Sequence, residues 1–128
     1  MIDGIEHVAI CARDTKALTE WYVKNFDFTV IDDNGKGNYF VKAPGGCVFE
    51  IMKFTSGVQP EDTSAIGLRH IAMRVSKENF DVEVQKVRDM KLKIVTDVTE
   101  SPNGVKTFFF RDIEGNVLHF IYRPNELK

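Results

Sequence analysis

A chain of 128 residues, 43% hydrophobic and 28% charged, has the length and composition expected of one soluble domain with a core of useful size. A net charge of −2 and a pI near 5.9 exclude the basic footprint of a nucleic-acid binder, and no run of Lys and Arg suggests a membrane surface. No apolar stretch is long enough to cross a bilayer and no signal-peptide core precedes the first strand. The expected compartment is therefore the cytoplasm, where Cys11 and Cys47 stay reduced and build no disulfide framework.

In chain order, residues 4–11 are rich in strand formers and read as a strand. Asp14 is placed to cap a helix from Thr15 to about Asn25, with Ala17, Leu18, Trp21 and Tyr22 on its apolar stripe. Residues 28–31 read as a strand and Asp32-Asp33-Asn34-Gly35 as a turn; residues 38–42 and 47–53 form a hairpin around Pro44-Gly45-Gly46. Residues 55–65 have no periodicity and read as a linker. The series then restarts. A strand over residues 68–75 is followed by a helix capped by Ser76 and running to about Met90, with Phe80, Val84 and Val87 inside. A strand over 92–95, a turn at Ser101-Pro102-Asn103-Gly104 and a hairpin of residues 107–111 and 117–122 complete the series. The tail, residues 123–128, is expected to be poorly ordered.

The restart is a repeat. Gly4-Ile5-Glu6-His7-Val8-Ala9-Ile10 returns 63 residues later as Gly67-Leu68-Arg69-His70-Ile71-Ala72-Met73. Residues 39–50 match 108–119 without a gap, pairing Lys42 with Arg111, Gly46 with Gly115 and Glu50 with His119. The expected fold is α+β: two tandem βαβββ modules forming a cupped mixed sheet, with the helices on its outer face. The modules cover about 4–54 and 66–123. Residues 1–128 are taken as a single domain, because a module of about sixty residues has little core of its own.

All three histidines of the chain fall on repeat-equivalent positions. Side chains two apart share a face of a strand, so His7 points with Ile5 and Ala9, and His70 with Leu68 and Ala72. Glu50 shares its face with Val48 and Met52, and His119 with Val117 and Ile121. If a pseudo-twofold axis relates the modules, His7, Glu50, His70 and His119 gather around one point. Three imidazoles and a carboxylate suit a divalent transition ion (Zn, Ni, Fe, Co or Mn), whereas calcium or magnesium would demand more oxygen ligands.

The paired modules, the opening Ile5-Glu6-His7-Val8-Ala9-Ile10, Trp21-Tyr22 in the first helix and residues 108–121, FFFRDIEGNVLHFI, resemble the vicinal oxygen chelate superfamily of glyoxalase I, epimerases, extradiol dioxygenases and fosfomycin- and bleomycin-resistance proteins. The resemblance implies metal ligands at His7, Glu50, His70 and His119. It also implies an Asp-x-x-Gly-Asn-x-x-Glu pattern, from which this chain departs by ending at His119. The family's isomerases move a proton at the carbon α to a carbonyl, and the carboxylate that moves it is missing at that position. Glu50 is then the expected catalytic base, since a ligating neutral imidazole cannot also accept the proton.

The function implied is a metal-dependent lyase or isomerase of glyoxalase I or epimerase type acting on a small-molecule substrate. The alternatives are an Fe- or Mn-dependent dioxygenase and a non-catalytic or drug-resistance binding protein of the same fold. Glutathione is not the expected cosubstrate, because the arginine found four residues after the first His in glutathione-dependent relatives is Cys11 here. A homodimer is expected, with no nucleic-acid or membrane partner.

Overall fold

The first helix starts where its donors find an acceptor. The Asp14 carboxylate accepts from the Ala17 N–H at 2.9 Å, and Ser76 Oγ does the same for Asn79 at 3.3 Å in the second helix. Around these helices a computed structural model, which describes residues 1–127, places the repeated order of strand, helix and three strands. The first module holds β1 (Val8–Ala12), α1 (Thr15–Phe26), β2 (Thr29–Asp33), β3 (Tyr39–Lys42) and β4 (Val48–Lys53). The second holds β5 (Ile71–Arg74), α2 (Lys77–Asp89), β6 (Ile94–Glu100), β7 (Lys106–Arg111) and β8 (Val117–Tyr122). These make two four-stranded mixed sheets, ordered β1-β4-β3-β2 and β5-β8-β7-β6. The first and last strands of each module run parallel, and the other neighbours are antiparallel.

The chain divides into two compact units, Met1–Val58 and Gln59–Lys128, and the division falls inside the expected linker. Each unit has its own core between helix and sheet. In the first, Leu18, Tyr22 and Phe26 of α1 meet Phe28, Val41, Phe49 and Ile51, all buried. The Tyr22 ring lies 5.0 Å from Phe28 and 6.2 Å from Phe49. In the second, Phe80, Val84 and Val87 are buried as the periodicity requires, with Phe108, Phe110, Leu118 and Phe120. Phe108 stacks on Phe110 and Phe120 at 5.7 and 6.3 Å. Residues 49, 51, 118 and 120 therefore face the helices, and alternation turns Glu50 and His119 to the opposite face of their sheets.

Several expectations need adjustment: β2 runs on through Asp32 and Asp33 of the expected turn, and the strand expected over 92–95 lies at Ile94–Glu100. The opening strands begin at Val8 and Ile71, so the two histidines lie one residue outside their ladders. In register they would stand opposite Val48 and Val117, the first residues of β4 and β8, so both histidines lie at the very ends of their sheets. On α1, Thr15, Thr19 and Phe26 join Leu18 and Tyr22 in the interior, while Ala17 and Trp21 stay half-buried. The far half of the linker is part of the second unit. Arg111, 8% exposed, donates to the backbone carbonyls of Pro60 and Glu61 at 3.2 Å each and of Gly115 at 2.7 Å, and Gln59 donates to Asn116 at 2.6 Å. Gly115 occupies the turn with φ +91, a left-handed conformation open to glycine without strain. In the tail, residues 123–127 form no strand or helix, and the same expectation for Lys128 lies outside the described residues.

Candidate metal centre

In the first module, β1 pairs with β4 in parallel so that Ala9 stands opposite Glu50, and β3 places Phe40 opposite Glu50 from the other side. His7, two residues before Ala9, swings over the same face. Its Nε2 lies 3.3 Å from Glu50 Oε2, and its ring meets the edge of Phe40 at 5.2 Å and 88°. Its other nitrogen, Nδ1, is 2.9 Å from Glu6 Oε1.

The second module repeats the arrangement with one exchange. Ala72 stands opposite His119, and Phe109 opposite His119 from β7. The rings of His70 and His119 are 4.5 Å apart, and His70 meets Phe109 at 5.5 Å and 83°. Phe109 also covers His119 at 4.3 Å. His70 is exposed, whereas His119 is 6% exposed. Burial, reinforced by the charges of His70 and Arg123, lowers the His119 pKa from 6.5 to about 4. At neutral pH it is therefore the uncharged imidazole that a metal ion requires.

Two observations bear on whether these residues fit a cation. A neutral imidazole has one N–H, yet both nitrogens of His7 face carboxylate oxygens. With a proton on Nδ1, the Nε2 lone pair faces an anion, and either a second ring proton or a cation beside Nε2 would supply the positive charge between them. Two donors on one tetrahedral ion with bonds near 2.1 Å stand roughly 3.4 Å apart, close to the separation of Nε2 and Oε2. In the second module, His119 Nδ1 is buried without a hydrogen-bond partner among the described residues, a costly state for a ring nitrogen unless something else satisfies it. The His7–Glu50 spacing fits a divalent transition ion, and the second pair offers one unsatisfied ring nitrogen beside a second imidazole.

No group of three or more His, Cys, Asp or Glu side chains that could hold a metal ion forms among the described residues. Each unit brings together the two donors expected of it. The two cysteines are exposed and unpaired, Cys11 in β1 and Cys47 just before β4. A shallow cleft of about 430 Å³, lined by Arg13, Lys16, Tyr39, Lys53 and Phe54, lies at the opposite end of β1 from His7 and is not part of this arrangement. Residue periodicity did not single out Phe40 or Glu6. Phe40 had a signal in its repeat match to Phe109; Glu6 had none, since strict alternation would put it on the face away from His7.

A family model described as the Glyoxalase/Bleomycin resistance protein/Dioxygenase superfamily matches residues 4–120. No curated protein sequence matches the chain. Among solved structures, a mutant of the fosfomycin resistance protein FosX from Listeria monocytogenes, complexed with Mn(II) and 1S,2S-dihydroxypropylphosphonic acid, is 17% identical with a TM-score of 0.80, covering 96% of this chain and 94% of that one. A glyoxylase/bleomycin resistance protein/dioxygenase domain from Frankia sp. EAN1pec is 20% identical, with a TM-score of 0.75 and coverage of 99% and 96%. The oxidase ChaP-H2 is 21% identical, with a TM-score of 0.75 and coverage of 97% and 96%. At these identities the likeness is one of fold. No helix among the described residues is long and apolar enough to cross a membrane.

Proposed function

The chain belongs to the glyoxalase, bleomycin resistance protein and dioxygenase superfamily, and we propose that within it this protein is a metal-dependent lyase or isomerase that moves a proton at the carbon α to a carbonyl of a small substrate. The ligands are His7 and Glu50 from the first module, with His70 and His119 from the second. The observation that carries this reading is the repeated donor pair: His7 Nε2 lies 3.3 Å from Glu50 Oε2, and the rings of His70 and His119 are 4.5 Å apart. The bound ion supplies Lewis-acid stabilisation of the negative charge that develops on the substrate's oxygens.

The chain's own residues do the rest. Glu50, whose side chain is 20% exposed, takes the proton from the α-carbon and returns it on the product side. His119, held neutral by burial, contributes no charge, so the four donors carry one negative charge between them. With a divalent ion held there, the site would carry a net charge of +1, one more than with a second carboxylate, which favours an anionic substrate oxygen. Phe40 and Phe109, set against the histidine rings, limit the ring orientations and keep water from one side of each. Cys11, in place of a cation four residues after His7, argues against a glutathione adduct as substrate.

Elemental analysis of protein purified without chelators should find one equivalent of metal per chain, and Mn(II), present in a FosX structure of similar fold, is the first ion to add back. His7→Ala and His70→Ala should each lose it. Full retention by both variants overturns the ligand set. Exchange of a substrate α-hydrogen with deuterated solvent, without oxygen uptake, is the expected activity.

The donor set supports a second reading, since three imidazoles and a carboxylate also suit iron or manganese oxygen chemistry. Oxygen uptake with a catechol-like substrate would select that dioxygenase. Tight ligand binding by a protein purified without metal would select a binding or drug-resistance role.

A further inference from the structure

His7 is the candidate ligand with a carboxylate on each side. Glu6 Oε1 is 2.9 Å from Nδ1 and Glu50 Oε2 is 3.3 Å from Nε2, while the Phe40 edge at 5.2 Å and 88° restrains the plane of the ring. A neutral ring must choose which nitrogen keeps its hydrogen, and the shorter contact is on the Glu6 side. The equivalent histidine is served differently. His70 follows Arg69, whose guanidinium has no acceptor to offer an imidazole N–H. Glu6 can reach back to its neighbour because both residues precede Val8, the first residue of β1, where the alternation of a strand no longer separates them.

We infer that Glu6 is a positioning residue: it holds the hydrogen of His7 on Nδ1 and so presents the Nε2 lone pair toward Glu50, where the metal is proposed to bind. Outer carboxylates of this kind fix the tautomer of a ligating histidine and raise its basicity. The inference makes His7 the ligand oriented before metal arrives, with no such carboxylate beside His70 among the described residues. It rests on the proposed ligand role of His7 for its consequence, though the tautomer itself does not depend on metal.

Two measurements test it. Long-range 1H–15N correlation spectra of histidine-labelled, chelator-treated protein at about pH 8.5 should show His7 as the Nδ1–H tautomer. That state should persist in Glu6→Gln, whose amide oxygen still accepts, and shift toward Nε2–H in Glu6→Ala and in Glu6→Arg, which imports the second module's residue. Titration with Mn(II) or Zn(II) should then show affinity weakened about tenfold in Glu6→Ala and Glu6→Arg, and less in Glu6→Gln. An Nε2–H or doubly protonated ring in the unmodified protein overturns the inference, as does a tautomer indifferent to Glu6→Ala. If the unmodified protein binds metal and Glu6→Ala binds it equally well, the positioning role falls while the metal site stands. If no form binds either ion, both fall.

Discussion

Single residues in this protein are tuned by their immediate surroundings, and His119 shows it in a pH dependence. Burial keeps its pKa near 4 in the folded chain, against 6.5 for the free group. Between those values the unfolded chain holds a proton that the folded chain does not. Stability of the metal-free protein should therefore be complete above about pH 6.5, fall as pH drops toward 4 and level off below, losing at most about 3 kcal/mol from this group. Urea midpoints of chelator-treated protein at several pH values measure the slope, and His119→Phe, which suits the contact with Phe109, should flatten it in that window. The second expectation at this scale concerns Glu50. Glu50→Gln keeps the shape and loses the base, so the α-hydrogen exchange rate at saturating metal should fall about 10²-fold or more. An unchanged rate would assign the proton to another group.

At the scale of elements, the helix-facing side of each sheet supplies the stability and the opposite side is left for chemistry. Phe108 and Phe110 are fully buried on the helix side of β7, while Phe109 between them faces the histidines. Phe108→Ala should accordingly cost about 3–5 kcal/mol in denaturant unfolding, while Phe109→Ala should act more on metal affinity than on stability. The β7–β8 hairpin is braced from outside by Arg111, whose guanidinium ties Gly115 to residues 60 and 61. Arg111→Met removes three bonds to carbonyls, and amide exchange over residues 59–65 should quicken with little change in α2. Equal quickening across the whole second unit would mean that the brace is global.

For the whole molecule, we propose that the two compact units behave as one domain, since a core of one helix against four strands buries little apolar surface by itself. The single tryptophan, Trp21, sits in the first unit and reports on it alone. Its fluorescence and the far-UV circular dichroism of both units should follow one unfolding curve; an earlier fluorescence transition would show the first unit opening separately. A homodimer is proposed as the assembly, and sedimentation should give twice the chain mass of 14.6 kDa.

Much of this was legible along the chain because it depends on local periodicity. The repeat, the period of two in the strands and the spacing of Phe80, Val84 and Val87 are properties of neighbours in sequence, and they set which side chains share a face. The pairing of His7 with Glu50 and of His70 with His119 follows from that periodicity once first and last strands run parallel. Tertiary structure decided what periodicity does not encode. It set where β1 ends short of His7, which lets Glu6 turn back to Nδ1, and it buried His119 enough to keep it uncharged. It also sent Arg111 across fifty residues of sequence to the carbonyl of Glu61, turning half of a linker into part of a module. Those outcomes depend on which atoms packing brings within hydrogen-bond reach and which it removes from water, and residue order alone specifies neither.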